Sequence, residues 1–196
     1  MTDSGGGFSS QSMAVRAQKK LVGKVASRSV AKHLIDDVTA RILDNFYKIL
    51  KDYYNKTEAE EVVKNIVKLT LKIMVLERND QLRDSDKAQL IRFLNRFRTL
   101  LITIVSFTTV EYSYDSSFLS QLLDESHLIL RRIVEAHLSP KSAERLHIVF
   151  SHVKKPEFLD TLFSASSPYR EAVTTISKDI SKLVESGSTK TAAGTS

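Results

Sequence analysis

Five histidines (His33, His127, His137, His147 and His152) have the widest catalytic repertoire in this 196-residue chain, and none has company at a useful spacing. A metalloprotease helix sets two imidazoles four residues apart on one face, with a glutamate beside them. His147 and His152 are five apart, which turns them about 140° from one another on a helix. There is no cysteine, so disulfides, thiolate zinc sites and cysteine nucleophiles are excluded. The Gly5-Gly6-Gly7 run follows no strand and does not have the spacing of a phosphate-cradling loop, and no Gly-x-Ser-x-Gly elbow occurs. Asp36-Asp37 and Glu60-Glu61 are adjacent pairs; on helices their side chains diverge by about 100° and read as solvated charge. The expectation is a chain that is not an enzyme, holds no metal, requires no cofactor and works by binding.

Charge says what it binds. Residues 1–35 hold six cations (Arg16, Lys19, Lys20, Lys24, Arg28 and Lys32) against Asp3 alone, whereas the rest has 23 basic and 22 acidic residues. A basic arm on a nearly neutral body points to an anionic partner, either a nucleic acid or an acidic membrane surface. Aromatic residues are not interleaved with the cations and no docking motif is present, which argues against nucleic acid.

The elements that must position these residues are helical throughout. Six glycines and three prolines are too few to punctuate a many-stranded sandwich or barrel. Apolar residues recur at helical spacing from about Ser12 to Val25, then through Leu34–Leu50, Val62–Leu76, Leu90–Val105, Phe118–Val134, Leu146–Phe150, Phe158–Leu162 and Val173–Val184. Thr57 with Glu60 forms a capping-box pattern, and Ser139-Pro140 is a helix-start pair. The expected fold class is all-α: an antiparallel bundle of six to seven helices in one domain over residues 12–186. Residues 1–11 are expected to form a disordered Gly/Ser-rich tail, and 187–196 a disordered polar one. The longest apolar run, Leu100–Phe107, falls well short of the roughly 20 residues that span a bilayer.

Two segments are more apolar than a surface helix needs. In Val62–Leu76, Lys64, Lys68 and Lys72 stack into one narrow polar stripe, and Leu100–Phe107 is apolar nearly all round. Such helices belong at the centre of a bundle. They pack there as an ordinary tight core, or they wall an apolar cavity that accepts a lipid chain; periodicity does not separate the two. In the cavity reading the lining falls on Ile66, Ile73, Leu101, Val105, Leu122 and Ile133. On the basic N-terminal helix, about 12–28, Arg16, Lys19 and Lys20 cluster opposite Ala14, Ala17, Leu21 and Val25. That layout suits a helix lying on an anionic leaflet. Arg28 falls off the pattern: either the helix ends near Ser27–Ser29, or Arg28 turns its fork toward a phosphate.

AVRAQKKLVGKVASRSVAKHLIDD (Ala14–Asp37), VLERN (Val75–Asn79), VSF (Val105–Phe107) and HLSPKSAERLHIVFSHV (His137–Val153) resemble the tumour necrosis factor alpha-induced protein 8 family. The resemblance runs from about Ser10 to Val184 with almost no gaps. It implies antiparallel helices around a large apolar cavity that holds phospholipid tails, with cations at its mouth. It further implies binding or transfer of phosphoinositides, and a role at the cytoplasmic side of membranes in cell death, inflammatory signalling and cytoskeletal control. Signalling or cytoskeletal proteins are then expected partners. The alternative is an adaptor in cell-death or stress-kinase signalling for which lipid is incidental.

Position by position, the resemblance places headgroup-binding cations at Lys19, Lys20, Arg28 and Arg78. A further mouth arginine of some members falls at Leu94 here, which leaves Lys24, Arg92 or Arg96 as supplementary cations.

Overall fold

The computed structural model describes residues 8–22, 36–110 and 113–192, together with their side chains except those of 20–22 and 186–192. Eight helices are described: α1 (Ser10–Val22), α2 (Asp37–Tyr53), α3 (Lys56–Arg78), α4 (Asp84–Thr109), α5 (Ser116–His137), α6 (Pro140–Val153), α7 (Pro156–Phe163) and α8 (Arg170–Ala192). No strand occurs among the described residues. The all-α expectation holds, with one helix more than expected.

Local chemistry sets the boundaries. Asp36 and Asp115 cap α2 and α5 by accepting from Thr39 N and Phe118 N. At α3 the cap is Asn55, not Thr57: its Oδ1 accepts from Glu58 N at 3.0 Å while its Nδ2 donates to Glu58 Oε1 at 2.7 Å. The reciprocal pairing thus forms two residues upstream of the Thr57–Glu60 pattern. Proline at the first turn starts α6 and α7. Both expected tails shrink. Phe8 stacks on Tyr47 at 3.7 Å and Ser10 is fully buried, so residues 8–11 pack rather than dangle. At the other end α8 runs on to Ala192; a single glycine such as Gly187 costs a helix only about 1 kcal/mol.

Packing arranges six of the helices as a closed ring in the order α2, α3, α6, α5, α4, α8 and back to α2. Cross-links fix their directions. Glu58 meets His152 near the start of α3 and the end of α6, and Lys72 donates to Ser142 near the end of α3 and the start of α6. Asp86 and His137 join the start of α4 to the end of α5, while Thr108 of α4 donates to Ser177 of α8. Arg41 of α2 grips Asp179 of α8. Each neighbour in the ring therefore runs antiparallel to the next. α1 packs outside the ring, mainly on α3, and α7 lies against α5, α6 and α8. Consecutive α3 and α4 are not a principal packing pair.

The two ends of the ring differ. At the lower end, which carries the α2–α3 turn, Phe158, Leu50, Val62 and Val63 are at most 1% exposed. Aromatic rings close it: Tyr53, Tyr54 and Phe158 meet edge-on or tilted, and nearby Phe107 stands edge-on to Tyr114 and Phe163, which stack on each other. Toward the upper end Ile73, Met74, Val75 and Leu76 of α3 are only half-buried. In α4 only Leu100 and Thr103 are buried.

Candidate functional site

Of the expected cations, Lys19 and Arg78 have described side chains at the ends of α1 and α3. α1 is pinned by Ser10 N donating to Asp44 at 2.9 Å, Ser10 Oγ to the Ala40 carbonyl at 3.3 Å, and Gln11 to Asp37 at 2.9 Å. These contacts step backwards along α2, so α1 climbs toward the upper end with Ala14, Ala17 and Gln18 buried. Lys19 comes eight residues after Gln11, about 12 Å further along the axis. Its side chain is exposed. Arg78 is exposed in the last turn of α3, where a cation also complements the helix dipole. Asp80 adopts φ 53°, the left-handed conformation that turns the chain toward α4.

Most neighbouring cations are already spent. Lys87 bonds Asp80 at 2.6 Å and Asp84 at 3.7 Å, and Arg83 bonds Asp86 at 2.8 Å. The bond to His137, then the one to Arg83, hold the Asp86 carboxyl below the usual range. Lys72 is pushed down by burial and by the charge of Arg145. Among the described residues Lys19 and Arg78 are in no ion pair. The Lys20 side chain, Lys24 and Arg28 lie outside what is described.

Arg92 and Arg96 do not stand in for a cation at Leu94. Two residues along a helix is about 200° of rotation, so both lie on the far side of α4 from Leu94. They border a shallow outer hollow of about 360 Å³ with Asn95 and Thr99. Arg96 is held there by Glu125 at 2.7 Å. The Leu94 side of α4 is apolar instead: Leu90, Phe93, Leu94, Phe97 and Leu101 share an arc about 100° wide. Within this arc Leu94 is 55% exposed and Phe97 40%, while Ile91, 60% exposed, lines the outer hollow. Sequence reading missed this open face; the signal was an apolar arc running nearly three turns ahead of the Leu100–Phe107 run.

The expected lining residues divide. Ile66, Ile73, Leu101 and Val105 are half-buried while packing against the core. Leu122 and Ile133, at 2% and 0% exposure, leave no surface toward a water-sized space. They are solid core, because α5 is gripped on both flanks by α4 and α6. No group of metal ligands and no membrane-crossing helix occurs among the described residues.

The sequence profile described as tumor necrosis factor alpha-induced protein 8-like matches residues 8–187. The chain belongs to that family. It is 38% identical to tumor necrosis factor alpha-induced protein 8 of Gallus gallus, covering 92% of this chain and 96% of that one. Identity to the Homo sapiens protein of the same name is 36%, covering 91% and 90%. A Drosophila pseudoobscura pseudoobscura protein named tumor necrosis factor alpha-induced protein 8-like is 39% identical, over 92% and 96%. Among solved structures, the C-terminal region of G-protein interacting protein 1 from Dictyostelium discoideum superposes with a TM-score of 0.62. It covers 79% of this chain and 95% of that one at 17% identity, a likeness of fold alone.

Proposed function

We propose that this family member is a non-enzymatic phospholipid-binding protein, with a phosphoinositide as its ligand, that regulates cell death and inflammatory signalling at the cytoplasmic face of membranes. One observation carries the reading: the helix ring is closed and oily below and only half-buried above, where Lys19 and Arg78 are in no ion pair among the described residues. Neighbouring helix axes lie about 8–10 Å apart, so the centre of a six-membered ring is about as far from every axis. That space is filled by inward side chains or left open. The half-buried state of Ile66, Ile73, Leu101 and Val105 supports an opening between α3 and α4. An acyl chain entering it would gain about 0.8 kcal/mol per buried methylene. Lys19 and Arg78 would meet the phosphates, each contributing about 1 kcal/mol near an anionic surface. Transfer between membranes follows if the chain can leave with its lipid.

Native mass spectrometry of the purified chain should show an added mass matching a phospholipid. In flotation assays, recovery with phosphoinositide-bearing vesicles should exceed recovery with neutral ones. It should fall on combined Lys19→Ala, Lys20→Ala and Arg78→Ala substitution. Equal recovery from both vesicle types, with no adduct, would sink the proposal.

A further inference from the structure

Below and to the side of that end, His127 of α5 and Phe150 of α6 stack in parallel at 4.4 Å and 11°. They floor a cleft of about 280 Å³ whose rim includes His147, Lys154, Lys155 and Pro156 at the α6–α7 junction. Its volume lies just under the 300–1,000 Å³ or so of small-molecule sites, so it admits one large side chain rather than a phospholipid.

The rim is cationic. Lys154 and His147 from α6 and its C-cap, and Arg131 from α5, act on His127, opposed only by Asp124. Arg131 is shared with Glu135 and Lys154 with Asp124. The Lys155 ammonium lies 4.9 Å over the Tyr54 ring with no carboxylate bonded to it among the described residues. Burial first, then these cations, hold the His127 pKa below its ordinary value. Lys155 is the rim cation left to meet an anion.

We infer that this cleft docks an acidic segment of a partner protein, with one aromatic side chain seated against His127 and Phe150 and a flanking carboxylate on Lys155. Aromatic anchors in small desolvated pockets dominate such interfaces, while the charges set specificity. The site is separate from the lipid-binding end and does not depend on it.

The test is fluorescence anisotropy on the full chain, using a dye-labelled pentapeptide with tryptophan between pairs of glutamates. Saturable binding is expected, tightening only as pH falls below about 6.5, the ordinary histidine value beneath which His127 gains its proton. Lys155→Glu and His127→Ala should each weaken it about fivefold or more, with co-purified phospholipid unchanged. Lys155 is exposed, so its variant keeps the test valid should His127→Ala fail to fold. The inference is overturned if nothing saturates, or if an alanine-centred peptide binds equally well. It is equally overturned if Lys155→Glu leaves binding intact. Loss of vesicle recovery or of self-association as the main effect of Lys155→Glu would assign the cleft to a membrane or a second copy, and would also refute it.

Discussion

Arg41 holds both carboxylate oxygens of Asp179, Nε at 3.1 Å and Nη2 at 2.9 Å, across a span of 138 residues. Lys182 adds a third bond at 3.1 Å to a carboxylate that is itself buried. This fork joins α2 to α8 and so closes the ring at its last junction. The bond from Arg41 is the main reason Asp179 is held below the usual carboxylate range, against the opposing effect of burial.

A depressed carboxyl pKa contributes stability above its unfolded value and loses it as pH falls through the folded one. Asp179→Asn should therefore lower the thermal midpoint near neutral pH. The gap from wild type should close as pH falls from about 4 toward 2. Far-UV circular dichroism melts across that range check this; a gap that stays constant in acid would show that the fork is not the source. Asp80 and Asp86 are shifted in the same direction, so the Asp179→Asn variant keeps some acid sensitivity.

The helices were legible because apolar spacing and caps are local. Asp115 at the start of α5 and Pro140 and Pro156 at the first turns of α6 and α7 lie where the pattern puts them. The ring was not legible. Its order depends on pairs such as Arg41–Asp179 and Lys72–Ser142, and no periodicity marks which polar residue on one helix meets which on another. The expected lining failed at Leu122 and Ile133 for a related reason. An apolar residue has the same signature whether it faces a neighbour or a void, and only packing on both flanks of α5 decides. Arg78 was singled out through a short motif, while the open face of Leu94 and Phe97 was hidden because exposed and buried leucines look alike in sequence.

That open face makes its own prediction. Leu94 is more than half exposed, so Leu94→Asp and Leu94→Glu each remove little packing. Surface changes of this kind usually stay within about 0.5 kcal/mol. Vesicle recovery should nevertheless drop, because a carboxylate at an apolar opening repels both acyl chains and an anionic leaflet. By contrast Ile133→Ala, in solid core, should cost about 2–5 kcal/mol with recovery per folded molecule preserved. Denaturant unfolding and flotation of the same three variants separate the two effects.

Whether the ring centre is open can be asked by filling it. In a close-packed core a larger side chain typically costs about 1–3 kcal/mol. At Ile73 and Val105, half-buried on α3 and α4, Ile73→Phe and Val105→Phe should cost less than that and should reduce the co-purified phospholipid seen by native mass spectrometry. A full overpacking penalty with lipid content unchanged would mean these side chains already meet their neighbours.

The closed lower end should reveal itself in alkali. The Tyr54 hydroxyl donates to the His152 main-chain oxygen at 2.9 Å, and its ring lies edge-on to Tyr53. Burial, then the negative charges nearby, push its pKa up to about 12. A phenol raised above its unfolded value of about 10 contributes stability that is complete below that pH and is lost as pH climbs through the folded value. Tyr54→Phe should remove one hydrogen bond near neutral pH, about 0.5–1.5 kcal/mol. The variant should also lose stability less steeply than wild type from about pH 10 to 12. Tyr169, also raised to about 12, bonds Asp52 at the same end, so some alkaline sensitivity survives in the variant. Ultraviolet titration of phenolate alongside unfolding reads both quantities, and identical slopes for the two proteins would show that Tyr54 ionises without disturbing the aromatic floor.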